Sequence, residues 1–541
     1  MNGQVTGVTE ASPATVSLRA GADAKNEVEL KLLVPAGEMA TLRTAPLLAR
    51  HAKTGVVVRQ LDAVYYDTPD RILFSQGLSL RVRRSGDRYM QTLKQAPPHD
   101  QPFARGEWEV PVDSMAPDLA SVPAAAVGAL PRDVSADALR PIFVTKVCRT
   151  VQQLELSGAT IEIAFDEGSI EAGEHCAPLT EIELELKSGD PRVLYDLGIR
   201  LLDIAPLRVS TQSKSDRGYE LAFGLAPKVS KARAPDISTE HSVDDVIGTL
   251  LGACQHQLLA NQPIAECGSD AEGVHQMRVA LRRLRTACML LGRELGSPTV
   301  RTFGAEAKWL AQQLSDARDW DVLITETLSE PAAAIHSDIV DFDGVRRAAN
   351  PHRMAAYAAL RETLALQRYN RFQLSLRYWI ESRGWRNELQ SGSLALLLEP
   401  VAEFAGRVLT RLHRKALQRG AQFSHLHPEA RHQLRIALKK LRYTTEFFQG
   451  LFDRGDQAKD YLTCLSGLQD ALGHENDATM TQPLLAALPP DAVTPEVQRA
   501  VGALMGVAGA RSHRCSCAAA RALAPFQVNT AVLAGPANLI P

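Results

Sequence analysis

The chain has 541 residues, of which 45% are hydrophobic and 23% charged, and this predicts several globular domains rather than a disordered polymer. The formal net charge of -2 argues against a generic nucleic-acid binder, because the basic character of such a protein is global. No stretch approaches the roughly 20 apolar residues of a membrane span. The eight cysteines form no C-x-x-C pair, which is typical of reduced thiols, so we expect a cytoplasmic protein.

Residues 1–25 predict a disordered tail without the basic start and apolar core of a signal peptide. The next stretch, 26–225, contains runs that alternate between apolar and polar residues, as half-buried strands do. These runs predict eight strands, near residues 27–34, 58–66, 78–84, 88–95, 105–112, 143–156, 160–171 and 179–187. Helical patterns interrupt them near residues 36–51 and 190–204, so the stretch predicts an α+β domain.

Charged side chains occupy one face of most of these strands. Glu27, Glu29 and Lys31 share one face of the first strand, while Val28 and Leu30 share the other. In four other predicted strands the same alternation places charged residues on one face. These groups are Arg81 and Arg83; Arg105, Glu107 and Glu109; Glu162 and Asp166; and Glu181, Glu183, Glu185 and Lys187. An open sheet with one solvated face would explain any single strand. A closed barrel with a polar lumen and an apolar outer face is the alternative.

A lumen with both signs of charge suits a phosphorylated ligand. Arginine and lysine bind phosphoryl oxygens, and clustered carboxylates in a confined space call for a cation. Oxygen ligands favour hard ions such as Mg²⁺ or Mn²⁺, and metal with arginines is the usual apparatus of phosphoryl transfer. The chain has no Walker-type glycine-rich loop, so it is not predicted to be a P-loop enzyme.

The second half of the chain has a different pattern. Residues 226–240 contain two prolines and no periodicity, and they predict a linker. Helical periodicity dominates residues 241–525, and residues 526–541 form a tail broken by proline and glycine.

One cationic helix pattern occurs twice in this second half, at an offset of 157 residues (from 275 to 432). The first copy comprises His275, Arg278, Arg282, Arg283 and Arg285, and the second comprises His432, Arg435, Lys439, Lys440 and Arg442. Two solvated helix faces from an old duplication would give the same pattern. Matched spacing and the lack of acidic i, i+4 partners favour anion binding. Without interleaved aromatics, phosphate chains fit better than stacked bases, although nucleic acid stays open.

The ordered motifs of the first half resemble those of the CYTH superfamily, the triphosphate tunnel metalloenzymes. They are Glu27-x-Glu29-x-Lys31, Tyr65-Tyr66-Asp67-Thr68-Pro69, Leu80-Arg81-Val82-Arg83, Gln91-Thr92-Leu93-Lys94, the run from Glu181 to Lys187, and the run from Ser213 to Tyr219. The duplicated basic helices resemble the CHAD domain. CYTH followed by CHAD is a familiar bacterial arrangement, generally in inorganic triphosphatases.

This resemblance implies an eight-stranded antiparallel tunnel followed by a pair of four-helix bundles. It also implies hydrolysis of inorganic triphosphate with Mg²⁺ or Mn²⁺, and binding of inorganic polyphosphate by both copies of the basic helix. The implied metal ligands are Glu27, Glu29, Asp166, Glu181, Glu183 and, as an addition, Glu185. The implied phosphate ligands are Lys31, Arg81, Arg83, Lys94, Arg149 and Lys214, with Arg59 and Arg105 as weaker candidates. The catalytic chemistry would lie with Glu27, Glu29 and Lys31.

Two alternatives to inorganic triphosphate hydrolysis remain open. One is a non-catalytic protein that binds polyphosphate or is targeted to polyphosphate granules. The other is hydrolysis of thiamine triphosphate or ATP, or ATP cyclisation, which needs an aromatic shelf among residues such as Tyr65, Tyr66, Phe103 and Trp108. We expect residues 1–230 alone to retain short-chain hydrolysis and to lose long-chain binding.

Overall fold

The computed structural model describes residues 25–95, 104–123, 126, 128, 130, 131, 133–334, 339–389, 394–451, 455–507, 509 and 526. The predicted tails lie outside the described residues, apart from Lys25 and Phe526.

Nine strands build the first half of the chain. They are β1 (Lys25–Leu33), β2 (Val57–Asp67), β3 (Leu78–Ser85), β4 (Arg88–Gln95), β5 (Ala104–Val112), β6 (Arg140–Leu156), β7 (Ala159–Ala172), β8 (His175–Ser188) and β9 (Arg208–Ser210). The first eight are those predicted from the sequence. The ninth has three residues, too few for a detectable alternation.

The strands close into an antiparallel barrel in the order β5-β4-β3-β2-β6-β7-β8-β1, because β1 also pairs with β5. Strand β9 adds to β1, with Val209 opposite Leu32. The predicted eight-stranded antiparallel sheet is therefore confirmed.

Alternation along the strands separates a charged lumen from an apolar exterior. On β1, Leu30 and Leu32 are fully buried in an apolar core on the outside of the barrel, which we call the outer core. Glu29 of the same strand faces the lumen. On β8, Ile182 and Leu184 lie in the same outer core. The barrel thus buries the apolar face of its strands on the outside and lines its interior with the charged face. This is the closed barrel with a polar lumen, the sequence-based alternative to an open sheet.

In the described part of the first half, five short helices with continuous ranges accompany the barrel. They are α1 (Met39–Arg43), α2 (Pro46–His51), α3 (Ile72–Ser75), α4 (Arg192–Leu202) and α5 (Lys214–Phe223). The first predicted helix is thus split into α1 and α2, at a proline that suits a first helical turn. Helix α4 matches the second prediction and covers the outside of β1 and β8.

Helix α5 fills one end of the barrel. Tyr219 is fully buried and packs against Phe143 and other apolar residues of the surrounding strands. Its hydroxyl donates to Asp67, whose carboxylate also accepts backbone N–H groups of Leu73 and Phe74. A Cβ on Gly218 would lie 2.1 Å from the Phe143 ring, so only glycine fits there.

The remainder of the described chain is helical, as predicted. The helices are α6 (Val243–Ala260), α7 (Gln262–Cys267), α8 (Ala271–Glu294), α9 (Pro298–Gln313), α10 (Ser315–Asp321), α11 (Ser329–Ala334), α12 (Phe342–Ala365), α13 (Gln367–Glu381), α14 (Leu394–Leu398), α15 (Val401–Gly420), α16 (Pro428–Phe447), α17 (Gly455–Ala486) and α18 (495–507). Residues 225–238, within the predicted linker and at its edges, form neither helix nor strand.

Each copy of the basic motif lies on a long helix with its own core. Helix α8 packs with α6, α7 and α9, while α16 packs with α15 and α17. Helices α8 and α16 also contact each other. Among the described helices, none is long and apolar enough to cross a bilayer.

Candidate functional site

Three carboxylates meet inside the barrel. Asp166 on β7 is directly opposite Glu181 on β8, and Glu183 lies two residues further along the same face. One oxygen from each lies within 4.8 Å of the others. The side chains of Asp166 and Glu181 are completely buried, so this charge is concentrated out of bulk water.

Two lysines enter this cluster from different directions. Lys31 Nζ on β1 lies 3.1 Å from Glu29 and 3.2 Å from Glu181, and it also contacts Glu183. Lys214 is the first residue of α5, whose position in the barrel end directs the ammonium inward. Its Nζ lies 2.5 Å from Glu181, 2.7 Å from Glu183 and 2.8 Å from Asp166.

Arg149 completes the cluster from β6. It holds Asp166 with two parallel hydrogen bonds, Nε to Oδ1 at 2.7 Å and Nη2 to Oδ2 at 2.6 Å, and it also contacts Glu183. The fork geometry of the guanidinium makes this a strong pair.

The cations keep the carboxylates ionised despite burial. Burial alone would raise the pKa of Glu183, but Lys214, Lys31 and Arg149 lower it well below its ordinary value. Burial likewise opposes ionisation of Asp166, and Lys214 and Arg149 bring its pKa below the usual range. Glu183 and Asp166 are therefore ionised at neutral pH.

The donor set fits a hard divalent cation. All three groups are carboxylates, the ligands that Mg²⁺ and Mn²⁺ prefer. Glu181 Oε2 is buried and accepts no hydrogen bond from the described residues, and Arg217 Nη1 lies 3.5 Å from it. An ion would satisfy this oxygen, because buried acceptors are costly to leave without a partner.

Basic residues line the wall formed by β3 and β4. Arg81, Arg83 and Lys94 line the same cavity as Glu29, Glu183 and Glu185, whereas Asp166 and Glu181 lie behind its lining. Lys94 lies 2.8 Å from Glu107, and Arg83 lies 3.2 Å from Glu109. The pKa of Arg83 is lowered to about 10, first by neighbouring Arg81 and then by burial. Repulsion between the two guanidiniums favours an anion between them.

The cavity that joins both walls has a volume of about 360 Å³. Its described lining is Glu29, Arg59, Leu61, Arg81, Arg83, Ser85, Lys94, Glu107, Glu109, Arg149, Val151, Glu162, Ala164, Glu183, Glu185 and Lys187. No aromatic side chain belongs to that lining. Tyr65 instead stacks on Phe143, the Tyr66 hydroxyl donates to the Met115 carbonyl, and Trp108 lies in an outer core. Phe103 lies outside the described residues.

The predicted tunnel residues divide into four groups, of which the first comprises Arg59, Arg81, Arg83 and Lys94 in the cavity lining. Those in contact at the carboxylate cluster are Glu29, Lys31, Arg149, Asp166, Glu181, Glu183 and Lys214. Glu185 lies apart, opposite Glu29 in register and 2.5 Å from Lys187. The side chains of Glu27 and Arg105 lie outside the described residues, although their backbones pair.

Further charged residues beside the cluster and the basic wall were not predicted to be part of the site, although strand alternation or helical spacing places each next to a predicted one. Glu107 and Glu109 lie beside the basic wall, and Arg217 lies one helical turn after Lys214. Their spacing alone could have identified them.

The two basic helices form one continuous face rather than two separate ones. Lys439 on α16 lies beside Arg435 and Arg442 of its own helix, and beside Arg278 and Arg282 of α8. Burial and these four guanidiniums lower the pKa of Lys439 to about 7. Lys440 lies next to Arg285 in the same way.

Arg283 is a correction to the predicted polyphosphate ligands. Its side chain is 1% exposed, whereas a polyphosphate ligand has to be accessible. It donates to Gln257 and to the Arg233 carbonyl, both at 3.1 Å, and its guanidinium lies over the Phe447 ring. Arg283 therefore joins the 225–238 segment to the helices and does not contribute to the basic face.

The other motif residues differ in exposure. His432 is exposed, whereas His275 is partly buried, and burial followed by Arg318 lowers the pKa of His275. Asp319 of α10 lies beside Arg278.

Two domain families match successive parts of the chain. Residues 25–219 match the CYTH domain and residues 249–486 match the CHAD domain. An inorganic triphosphatase of Haemophilus influenzae is 35% identical over 164 residues, which cover 30% of this chain and 46% of that protein. The chain thus spans about half the length of this relative.

Two further matches cover more of the chain, and one of them is to the structure of a CHAD domain. An uncharacterized protein of Mycobacterium tuberculosis is 26% identical over 441 residues, covering 76% of this chain and 80% of its own. The crystal structure of the CHAD domain from the plant Ricinus communis aligns with a TM-score of 0.44 at 27% identity, covering 57% of this chain and 96% of the domain. The chain carries a CYTH domain followed by a CHAD domain.

Proposed function

We propose that the barrel hydrolyses inorganic triphosphate to diphosphate and phosphate with Mg²⁺ or Mn²⁺, and that the basic face of α8 and α16 binds inorganic polyphosphate. The observation that carries the first part is the tunnel cavity, where Glu183 of the carboxylate cluster shares the lining with Arg81, Arg83 and Lys94. The similarity to an inorganic triphosphatase, limited to the first half of the chain, supports the same reaction.

Asp166, Glu181 and Glu183 would hold the metal, with Glu29 next to them. A bound divalent ion would neutralise phosphoryl oxygens and activate a water molecule for hydrolysis. Arg81, Arg83 and Lys94 would bind the phosphoryl groups from the opposite wall. Arg149, Lys31 and Lys214 hold the carboxylates in place and supply positive charge for the leaving diphosphate.

The chemistry of the lining favours inorganic triphosphate over a nucleotide or thiamine triphosphate. Base or thiazole recognition needs a stacking surface, and the described lining offers charged groups and small apolar ones. The experiment that tests this compares turnover of tripolyphosphate, ATP and thiamine triphosphate by the full-length protein. Preference for either of the last two would refute the substrate assignment.

A second candidate, a non-catalytic polyphosphate sensor, draws on one observation. Each carboxylate of the cluster already contacts a lysine or arginine, so the charges balance without a metal. Equilibrium dialysis distinguishes the two candidates. The enzyme should bind Mn²⁺ in competition with these internal cations, and the sensor should bind triphosphate with no metal and no turnover.

Polyphosphate binding rests on the merged basic face. Four guanidiniums from two helices surround Lys439, those of Arg278, Arg282, Arg435 and Arg442, so this face concentrates like charge even though Arg442 also lies 3.4 Å from Glu446. A long phosphate chain would relieve this mutual repulsion. Filter binding of long-chain polyphosphate tests the proposal, and retention on polyphosphate granules in the cytoplasm would follow from it.

A further inference from the structure

The segment that carries Lys214 begins at strand β9. Val209 and Ser210 pair with Leu32 and Lys31 on one side of this three-residue strand. Three residues later Ser213 caps α5 in a capping box with Asp216, and Lys214 follows directly. Any shift of β9 along its edge is therefore passed to the lysine that contacts all three cluster carboxylates.

The free edge of β9 is held by the helical half of the chain. The buried Val209 N–H donates to Asn370 Oδ1 of α13 at 2.8 Å. Asn370 is completely buried, and its Nδ2 donates to the carbonyls of Leu364 and Leu366 at 3.2 and 2.9 Å. Both ends of the amide are thus satisfied, which fixes the orientation of the side chain.

A second contact holds the neighbouring residue of the same strand. Arg208 forms an ion pair with Glu266 of α7. Glu266 also accepts from Gln262 at 2.9 Å, and Gln262 accepts from the Tyr369 hydroxyl at 2.8 Å. Because Tyr369 precedes Asn370 in α13, the two contacts share one rigid support.

The packing behind the strands is continuous across the same interface. Leu374 of α13 and Leu259 of α6 belong to the core that covers the outer face of β1 and β8. A Cβ on Gly198 of α4 would lie 2.7 Å from Leu30 and 3.2 Å from Leu374, so only glycine allows this close approach. The helical half therefore completes the support of the strands that carry the carboxylates.

We propose that Asn370 and Glu266 are positioning residues for the tunnel reaction, acting through β9 on Lys214. This gives the helical half a role in catalysis beyond anion binding, and it rests on the proposed triphosphatase function. It also removes the basis for expecting residues 1–230 to work alone, because that fragment lacks both contacts and part of the shared core.

The test uses the full-length Asn370→Ala variant, with Arg371→Ala as the matched control. Arg371 is the next residue of α13 and also crosses the interface, but it contacts Asp203 rather than β9. Amide hydrogen exchange of residues 208–214 should accelerate in Asn370→Ala and stay at the wild-type rate in the control. For tripolyphosphate, kcat/KM should fall about tenfold in Asn370→Ala alone, as expected when a buried donor loses its partner.

A double-mutant cycle separates positioning from general loss of structure. In a Lys214→Met background, Asn370→Ala should have little further effect on kcat/KM, since the group being positioned is absent. Equal exchange and activity in Asn370→Ala and Arg371→Ala would overturn the proposal, as would additive losses in the cycle. If Asn370→Ala does not fold, Glu266→Gln takes its place. A wild type without triphosphatase activity would refute the proposed function, while the exchange measurement would still decide whether α13 holds the segment.

Discussion

Arg282 and Arg283 are adjacent, and the structure gives them opposite roles. Arg282 belongs to the basic face near Lys439, whereas Arg283 is buried and bonded to Gln257 and the Arg233 carbonyl. Replacing each separately with Met keeps a long apolar stem and removes one charge. We expect Arg282→Met to weaken polyphosphate binding without unfolding the protein, and Arg283→Met to destabilise the helical half without changing the basic face.

The size of the Arg283 effect follows from its contacts. Hydrogen bonds from a charged donor contribute about 1.5–3 kcal/mol each, and two are lost together with a cation–π contact to Phe447. Met avoids the cost of burying a charge, which offsets part of this loss. We therefore expect the free energy of unfolding to fall by about 2–4 kcal/mol, with two newly unsatisfied acceptors as the main cause.

The assay pairs urea denaturation with polyphosphate binding at several salt concentrations. Arg282→Met should reduce the slope of log affinity against log salt by about 1, as loss of a phosphate contact does for nucleic acids. Arg283→Met should keep the wild-type slope under conditions where it is folded. Loss of affinity in a stable Arg283→Met protein, or wild-type binding by Arg282→Met, would refute the assignment.

Three further outcomes are expected. The pKa of Lys439 is about 7, and a bound anion raises it, so polyphosphate binding takes up a proton. Polyphosphate affinity should therefore fall as pH rises above 7. Titration calorimetry should show a smaller pH dependence of the affinity in Lys439→Arg, because arginine stays charged. Gly218→Ala should lower the free energy of unfolding by about 2 kcal/mol or more in chemical denaturation, since its Cβ would overlap the Phe143 ring. Mn²⁺ at about 100 times its Kd should raise the free energy of unfolding by about 2.7 kcal/mol. At the same metal concentration, Glu181→Gln should show a smaller increase in the free energy of unfolding. An increase equal to that of the wild type would exclude Glu181 as a metal ligand.

The strands were predictable because alternation is a local signal. From Lys25 to Lys31 in β1 and from Glu181 to Lys187 in β8 every second residue is charged, so the same pattern gives both the strand and its inward face. Strand β9 was missed because its three residues are defined by pairing with β1 and by Asn370, far away in the sequence. Such contacts depend on tertiary structure, so the sequence of the strand shows no alternation of apolar and polar residues from which it could be predicted.

The basic helix shows the limit of motif spacing. At about 100° per residue, Arg283 follows Ala280 by three positions and precedes Ala287 by four, so it lies on the buried stripe of α8. The helical period could have separated it from Arg282. Convergence of α8 and α16 into one face, by contrast, depends on how two helices cross and could not be predicted from either copy.

The most direct test of the central claim is phosphate release from tripolyphosphate by the full-length protein and by Glu183→Gln, with Mg²⁺ or Mn²⁺ and with EDTA. Glu183 contacts Lys31, Lys214 and Arg149, so its charge organises the cluster. The wild type should release phosphate only with metal, and the variant should be slower by about a hundredfold or more. Release in EDTA, equal rates in the variant, or no release by the folded, metal-supplied wild type would contradict the proposal.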